Sequence, residues 1–167
     1  MCIRDSIVTT ADAGSAQNFG LDAVPDHGRR YARASEFADV VKALWDSWAD
    51  DAFVGDKASG VFADVSRIQP IAHRGEFFQV QGPLNLPRTP QGRPVLIQAG
   101  ASADGRELAA RHAEAVFSAS QSFEESLAYG RELKSRAAAL GRGPDAVKVL
   151  AGPVSYTHLT LPTNREV

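Results

Sequence analysis

The sequence predicts an α/β fold, a partial TIM-like (β/α)8 barrel of about four strands with an irregular insertion, and three observations carry that reading. Short β-rich apolar runs begin at Ile7, Val95, Ala115 and Val147. Single helical patterns separate the later runs, and one helix between two strands implies a right-handed crossover and a parallel sheet. A whole barrel needs eight strands and about 250 residues, so a chain of 167 supplies about half of one. A complete doubly wound sheet is the alternative. That fold opens on a phosphate-binding turn close to its N-terminus, and no such turn stands there.

Taken in order, Ile7-Val8-Thr9-Thr10 reads as a strand that enters a polar loop, Ala11 to Gln17, followed by Asn18-Phe19-Gly20. Barrels place ligand contacts after such strands. Asp26 opens a helix continuing to about Trp48, with Phe37, Val40, Val41, Leu44 and Trp48 at helical spacing as a core stripe. His27 and Tyr31, four apart, would share a face at its entrance, either as a plain polar pair or as ligand contacts. From Asp50 to Arg93 the rhythm breaks, with Gly- and Asp-rich sequence, a short strand at Phe77-Phe78-Gln79-Val80 and prolines at 83, 87, 90 and 94. This stretch reads as an insertion carrying a small hairpin, and a connection of that length is usually functional.

Regular alternation resumes at Pro94. Val95 to Ala99 is a strand, Ala103 to His112 a helix, Ala115 to Ser118 a strand, and Ser122 with Glu125 forms a capping box for a long helix. Leu127, Leu133, Ala137 and Leu140 are expected to face inward, with Gly141, Gly143 and Pro144 ending the helix and Val147 to Ala151 forming the last strand. The organising feature is the turn Gly100-Ala101-Ser102-Ala103-Asp104-Gly105 between strand and helix. Its side chains are too small to shield the backbone. Ser102 caps the helix, and the same N-terminal amides and hydroxyl could seat a phosphate or carboxylate. Both readings stay open on the motif alone.

Composition narrows the function. A hydrophobic fraction of 44% and a charged fraction of 23% are those of a globular protein. A net charge of −2 with interspersed signs excludes a nucleic-acid or membrane-surface role. No apolar stretch approaches the roughly 18–20 residues of a spanning helix and no signal peptide is seen, so a cytoplasmic location is expected. Cys2, the single cysteine, leaves no internal disulfide and no Cys-based metal site. The ends, MCIRDS and SYTHLTLPTNREV, break the local pattern and resemble translated adapter sequence. The expected organisation is therefore tail 1–6, barrel segment 7–154 and tail 155–167, which removes Cys2 and His158 from consideration.

Several motifs stand in a fixed order. They are Asn18-Phe19-Gly20, His27-x-x-x-Tyr31 followed by Glu36-Phe37, and Gly75-x-Phe77-Phe78-x-Val80-x-Gly82-Pro83-Leu84. Pro90-Gln91-Gly92-x-Pro94, Gln98-Ala99-Gly100-x-Ser102-x-x-Gly105 and Ala113-Glu114-Ala115-Val116-Phe117 complete the set. Together they resemble the flavin-dependent monooxygenases related to the nitrilotriacetate and dibenzothiophene sulfone monooxygenase large components, in the bacterial luciferase-like superfamily. The resemblance implies a TIM-like barrel holding reduced FMN supplied by a separate NAD(P)H-dependent flavin reductase. It also implies O2 as co-substrate and a small organic substrate that is oxygenated.

By the same resemblance His27, Tyr31 and Ser102 are FMN contacts, Ser102 on the phosphate, and no metal is implied. His27 is the candidate for a role beyond binding, while His73 and His112 are expected to be structural or polar contacts. Family dimers make a homo-oligomer compatible with this reading. The parts of a full barrel missing here imply that the chain alone is inactive. A non-catalytic flavin binder, a deazaflavin-dependent relative and an unrelated phosphate-binding barrel are the alternatives.

Overall fold

A computed structural model describes residues 4–120, 122–143 and 145–152. Cys2, Pro144, Val154, His158 and the expected tail 155–167 lie outside the described residues. The chain divides into two units, 1–96 and 97–167. The boundary falls inside one strand.

The first unit contains β1 (Arg4–Ile7), α1 (Ala13–Asn18), α2 (His27–Trp45), β2 (Phe53–Asp56), β3 (Val61–Ala63), a 3-10 turn (Val65–Arg67), β4 (His73–Arg74) and β5 (Gln79–Val80). The first strand precedes the expected Ile7 to Thr10 run. Arg4, Asp5 and Ser6 are exposed and Val8 is 76% exposed, so this strand owes nothing to a buried apolar face. The expected polar loop after it contains the short helix α1. Asp12 accepts a 2.7 Å hydrogen bond from the Ser15 amide, enough to start one turn.

Helix α2 begins as expected, with Asp26 accepting from the Arg29 amide at 2.9 Å. It stops at Trp45 rather than Trp48 because the next residues take other partners. Ser47 Oγ donates to the Leu44 carbonyl at 2.6 Å and accepts from the Leu84 amide at 3.1 Å. Trp48 Nε1 donates to the Leu84 carbonyl at 2.7 Å. Burying Ser47 and Trp48 therefore fastens the proline-rich segment to the helix end. Of the expected core stripe, Val40 is buried and Phe37 is not: it is 49% exposed, its ring 5.9 Å from that of Phe78.

The insertion holds two antiparallel hairpins where one was expected. β4 pairs β5 through His73 with Val80 and Arg74 with Gln79, and β2 pairs β3 through Phe53 with Ala63 and Asp56 with Val61. The β4–β5 turn is locked to α2 by Glu36. One carboxylate oxygen receives His73 Nε2 at 2.9 Å and the Phe78 amide at 2.9 Å, and the other receives the Phe77 amide at 3.0 Å. A Cβ at Gly75 would overlap that carboxylate, which explains the glycine.

Burial raises the Glu36 pKa, but the bonds from His73, Phe77 and Phe78 outweigh it and the net value falls below the ordinary 4.5. A carboxyl depressed on folding contributes stability that is complete above its unfolded value and is lost as pH drops through its folded one. Urea midpoints of the wild type should therefore decline on acidification below about pH 4.5. Glu36→Gln should flatten part of that decline; an unchanged acid limb would place the effect on other carboxylates.

The second unit carries β6 (Val95–Gln98) across the boundary, then α3 (Ala103–His112), β7 (Ala115–Ser118), α4 (Phe123–Ala139) and β8 (Lys148–Ala151). Helix α3 and strand β7 have the expected limits. β6, β7 and β8 lie side by side in that order in one sheet. They are parallel, with Gln98 opposite Val116 and Val116 opposite Val149. One sheet face presents Val116 to α3 and α4, where it joins Ala109, Ala110, Ala113, Tyr129, Leu133, Ala137 and Val147. On the other face Phe117 and Leu150, paired in register, remain 49% and 48% exposed.

The buried stripe of α4 differs from expectation. Leu127 and Leu140 are exposed, while Tyr129, Leu133 and Ala137, each four apart, point inward with Val116. The helix ends at Ala139 with Leu140 as its C-cap, and the next residue, Gly141, has a φ of +76° in the left-handed region that glycine tolerates.

Candidate functional site at the strand-to-helix turn

Ser102 occupies the N-cap of α3 with φ −66° and ψ 162°, its Oγ accepting from the Gly105 amide at 3.0 Å. The capping half of the sequence reading is therefore realised. The turn is held tightly. A Cβ on Gly100 would overlap the side-chain amide of Gln98, and one on Gly105 would stand 3.2 Å from the backbone of Gly100. The glycines thus let the two corners of the turn pack on Gln98 and on each other, at the positive end of a ten-residue helix. The Ser102 hydroxyl and the first-turn N–H groups of α3 are donors of the kind that a phosphate takes.

Beside the turn lies a cavity of about 500 Å³. Gly100, Ala101, Arg106, Phe117, Ser120 and Tyr129 contribute to its wall, whereas Ser102 does not line it. Its polar groups are mutually engaged. Arg106 pairs with Glu132 and lies over the Tyr129 ring, 5.2 Å from its centroid, and Glu132 also receives Arg136 at 2.7 Å. The Tyr129 hydroxyl donates to the Gly100 carbonyl at 3.2 Å. Burial raises the Tyr129 pKa, with lesser effects from Arg106 and Glu132, so the phenol remains a donor. The side chain of Gln98, 3% exposed, keeps its Oε1 without a hydrogen-bond partner among the described residues.

His27 and Tyr31 stand together on the first turns of α2, ring centroids 4.7 Å apart and planes tilted by 41°. His27 is exposed and Tyr31 half-buried. The structure thus brings these two predicted residues side by side, and Ser102 is carried by the other unit. Arg29 and Arg33 lie over the rings of Phe77 and Phe78, tying the same helix to the β4–β5 turn. His73 is structural through Glu36, and His112 is 2% exposed at the end of α3. Among the described residues no group of three or more His, Cys, Asp or Glu side chains could hold a metal ion. No described helix is long and apolar enough to cross a membrane.

Glu36 and Tyr129 were not legible as structural partners of the turns they fasten. The available signal was periodic: Tyr129-Leu133-Ala137 is an i, i+4, i+8 series that outranks Leu127 and Leu140 once small residues are counted as core.

Three parallel strands with intervening helices, one apolar face covered and the other open, define the class: a segment of a (β/α)8-type barrel. Residues 6–159 match the family described as luciferase-like monooxygenase, and the chain belongs to that family. It is 49% identical over 151 residues to nitrilotriacetate monooxygenase component A of Aminobacter aminovorans, covering 90% of this chain and 33% of the relative. With dibenzothiophene-sulfone monooxygenase of Rhodococcus erythropolis it shares 46% identity over 144 residues, 86% of this chain and 32% of the relative. A crystal structure of riboflavin lyase with modified FMN and the substrate riboflavin superposes with a TM-score of 0.79 at 35% identity, over 87% of this chain and 34% of that one. The chain spans about a third of the length of these relatives.

Proposed function

We propose that the chain is the phosphate-anchoring part of an FMN-dependent, two-component monooxygenase that oxygenates a small organic substrate. The carrying observation is the bare Gly100–Gly105 turn capped by Ser102, found in a chain of the luciferase-like family. When bound, reduced FMN from a separate NAD(P)H-dependent flavin reductase supplies the oxygen-activating chemistry. Ser102 and the neighbouring backbone N–H groups would hold the phosphate, and His27 and Tyr31 would contact the flavin, with the imidazole offering a hydrogen bond toward the reacting ring. The chain's remaining task is positioning and exclusion of bulk water. The insertion 50–93 is where substrate choice would reside, since specificity sits on loops rather than on the scaffold. A cytoplasmic setting and a homo-oligomer belong to the same reading.

Family membership sets aside the unrelated phosphate-binding barrel. A flavin binder without catalysis, or a deazaflavin user, is separated by restoring the segment to a full barrel. Residues 7–152 would replace the matching third of nitrilotriacetate monooxygenase component A, and oxygen consumption would be coupled to a reductase. Turnover is expected from that chimera and none from the 167-residue chain alone. Ser102→Ala is expected to weaken FMN binding at least about tenfold, because it removes a phosphate donor and an N-cap that itself contributes about 1 kcal/mol. FMN affinity unmoved by Ser102→Ala would remove the phosphate from this turn.

A further inference from the structure

The turn that faces the proposed phosphate is itself held from behind by a residue of another helix. Tyr129 lies on α4, is 8% exposed, and packs in the core with Leu133 and Val116. Its hydroxyl reaches 29 residues back along the sequence to the Gly100 carbonyl. Arg106, one turn into α3, rests over the same ring while its guanidinium pairs with Glu132, one turn further along α4. Two points of α4 thus grip two points around the turn: the carbonyl that precedes Ser102 and the helix that follows it. The Gly100 carbonyl points toward α4 to meet the phenol, which fixes the peptide plane shared with the Ala101 N–H. That amide is thereby aimed away from α4.

We infer that Tyr129 is a positioning residue for the anion turn: its hydrogen bond to Gly100 O fixes the peptide plane whose N–H belongs to Ala101 and so pre-aims the backbone donors at a ligand phosphate. The inference rests on the phosphate reading of Ser102. A preorganised donor costs nothing to orient when ligand arrives, whereas a loose turn must be ordered first. In this role the residue acts through Gly100.

Tyr129→Phe removes the hydroxyl and keeps the ring that packs on Leu133 and supports Arg106. In the ligand-free 167-residue chain, amide exchange at residues 100–105 is expected to accelerate about five- to tenfold, the factor corresponding to one lost hydrogen bond. Exchange in the middle of α4 should stay as it was. With ligand, FMN affinity is expected to fall by about the same factor while riboflavin, which has no phosphate, binds unchanged. A structural collapse would instead weaken both and accelerate exchange throughout. Tyr129→Leu, which also removes the ring, serves as that comparison.

The two readings fail differently. Wild type that binds FMN no better than riboflavin overturns the phosphate reading. Exchange at 100–105 unchanged in Tyr129→Phe overturns the positioning role, whatever the flavin titration gives, and so does an unaltered FMN-to-riboflavin ratio in a wild type that discriminates.

Discussion

Leu133→Ala is expected to cost about 2–5 kcal/mol, enough to unfold the second unit under mild denaturant. Leu133 is fully buried, and with Val116 and Val147 it is among the largest fully enclosed side chains. The neighbours are small. Ala109, Ala110, Ala113 and Ala137 surround it, so α3 and α4 approach closely and no long side chain can swing into the space left behind. Deleting three heavy atoms then removes their transfer free energy and leaves a cavity that cannot collapse.

Nor does the second sheet face offer a reserve, since Phe117 and Leu150 are half exposed. Small units bury a smaller share of their surface and are correspondingly marginal. Leu133→Met, which conserves volume, should cost under about 1.5 kcal/mol. Urea unfolding followed by far-UV circular dichroism measures both, and equal midpoints for Leu133→Ala and wild type would show that this cluster is not the unit's core.

The same unit shows what could be read from sequence and what could not. Helix α3 and strand β7 were legible to the residue because local chemistry settles them: Ser102 starts the helix, and the apolar run Ala115-Val116-Phe117 follows at once. His27 and Tyr31 were legible as a pair because a helix places i and i+4 on one face. Glu36 and Tyr129 were not, since each bonds backbone between 29 and 42 residues away, a separation no local pattern encodes. The exposed Phe37, Leu127 and Leu140 mark the converse error. Apolar character at helical spacing says that a face exists, whereas which residues are covered depends on what lies opposite. Strand β1 failed for a related reason, because main-chain pairing can recruit the polar residues Arg4 to Ser6.

Arg142→Ala is expected to be nearly as damaging as loss of Leu133, by a polar route. At the end of helix α3 the Ala109 carbonyl keeps the Ala113 amide at 2.9 Å, and the carbonyls beyond it run out of intrahelical donors. Residues Ala109, Ala110 and Ala113 are fully buried, so water cannot serve those carbonyls freely. The Arg142 guanidinium does so instead. Nη1 donates to Ala110 O at 2.8 Å and to Ala109 O at 3.4 Å, and Nη2 donates to Ala113 O at 2.8 Å and to Ala146 O at 3.2 Å.

One planar fork therefore closes the end of α3 and ties it to the segment leading into β8, with its positive charge at the negative end of the helix dipole. Removing it takes the guanidinium from Ala110 O, Ala113 O and Ala146 O, and hydrogen bonds to a charged donor contribute roughly 1.5–3 kcal/mol each before overlap between them is discounted. A net loss of roughly 3 kcal/mol follows.

Arg142→Lys discriminates the two terms. An ammonium keeps the charge but cannot span acceptors on both sides of the fork, so it should recover the dipole contribution and little else, under about 1 kcal/mol. Salt separates them again. The dipole term is screened at 1 M ionic strength, and the hydrogen-bonded term is not. The deficit of Arg142→Ala should thus persist in high salt, with accelerated amide exchange confined to the end of α3 and residues 146–149. Full rescue by lysine, or a deficit that salt erases, would make charge rather than the fork the source of stability.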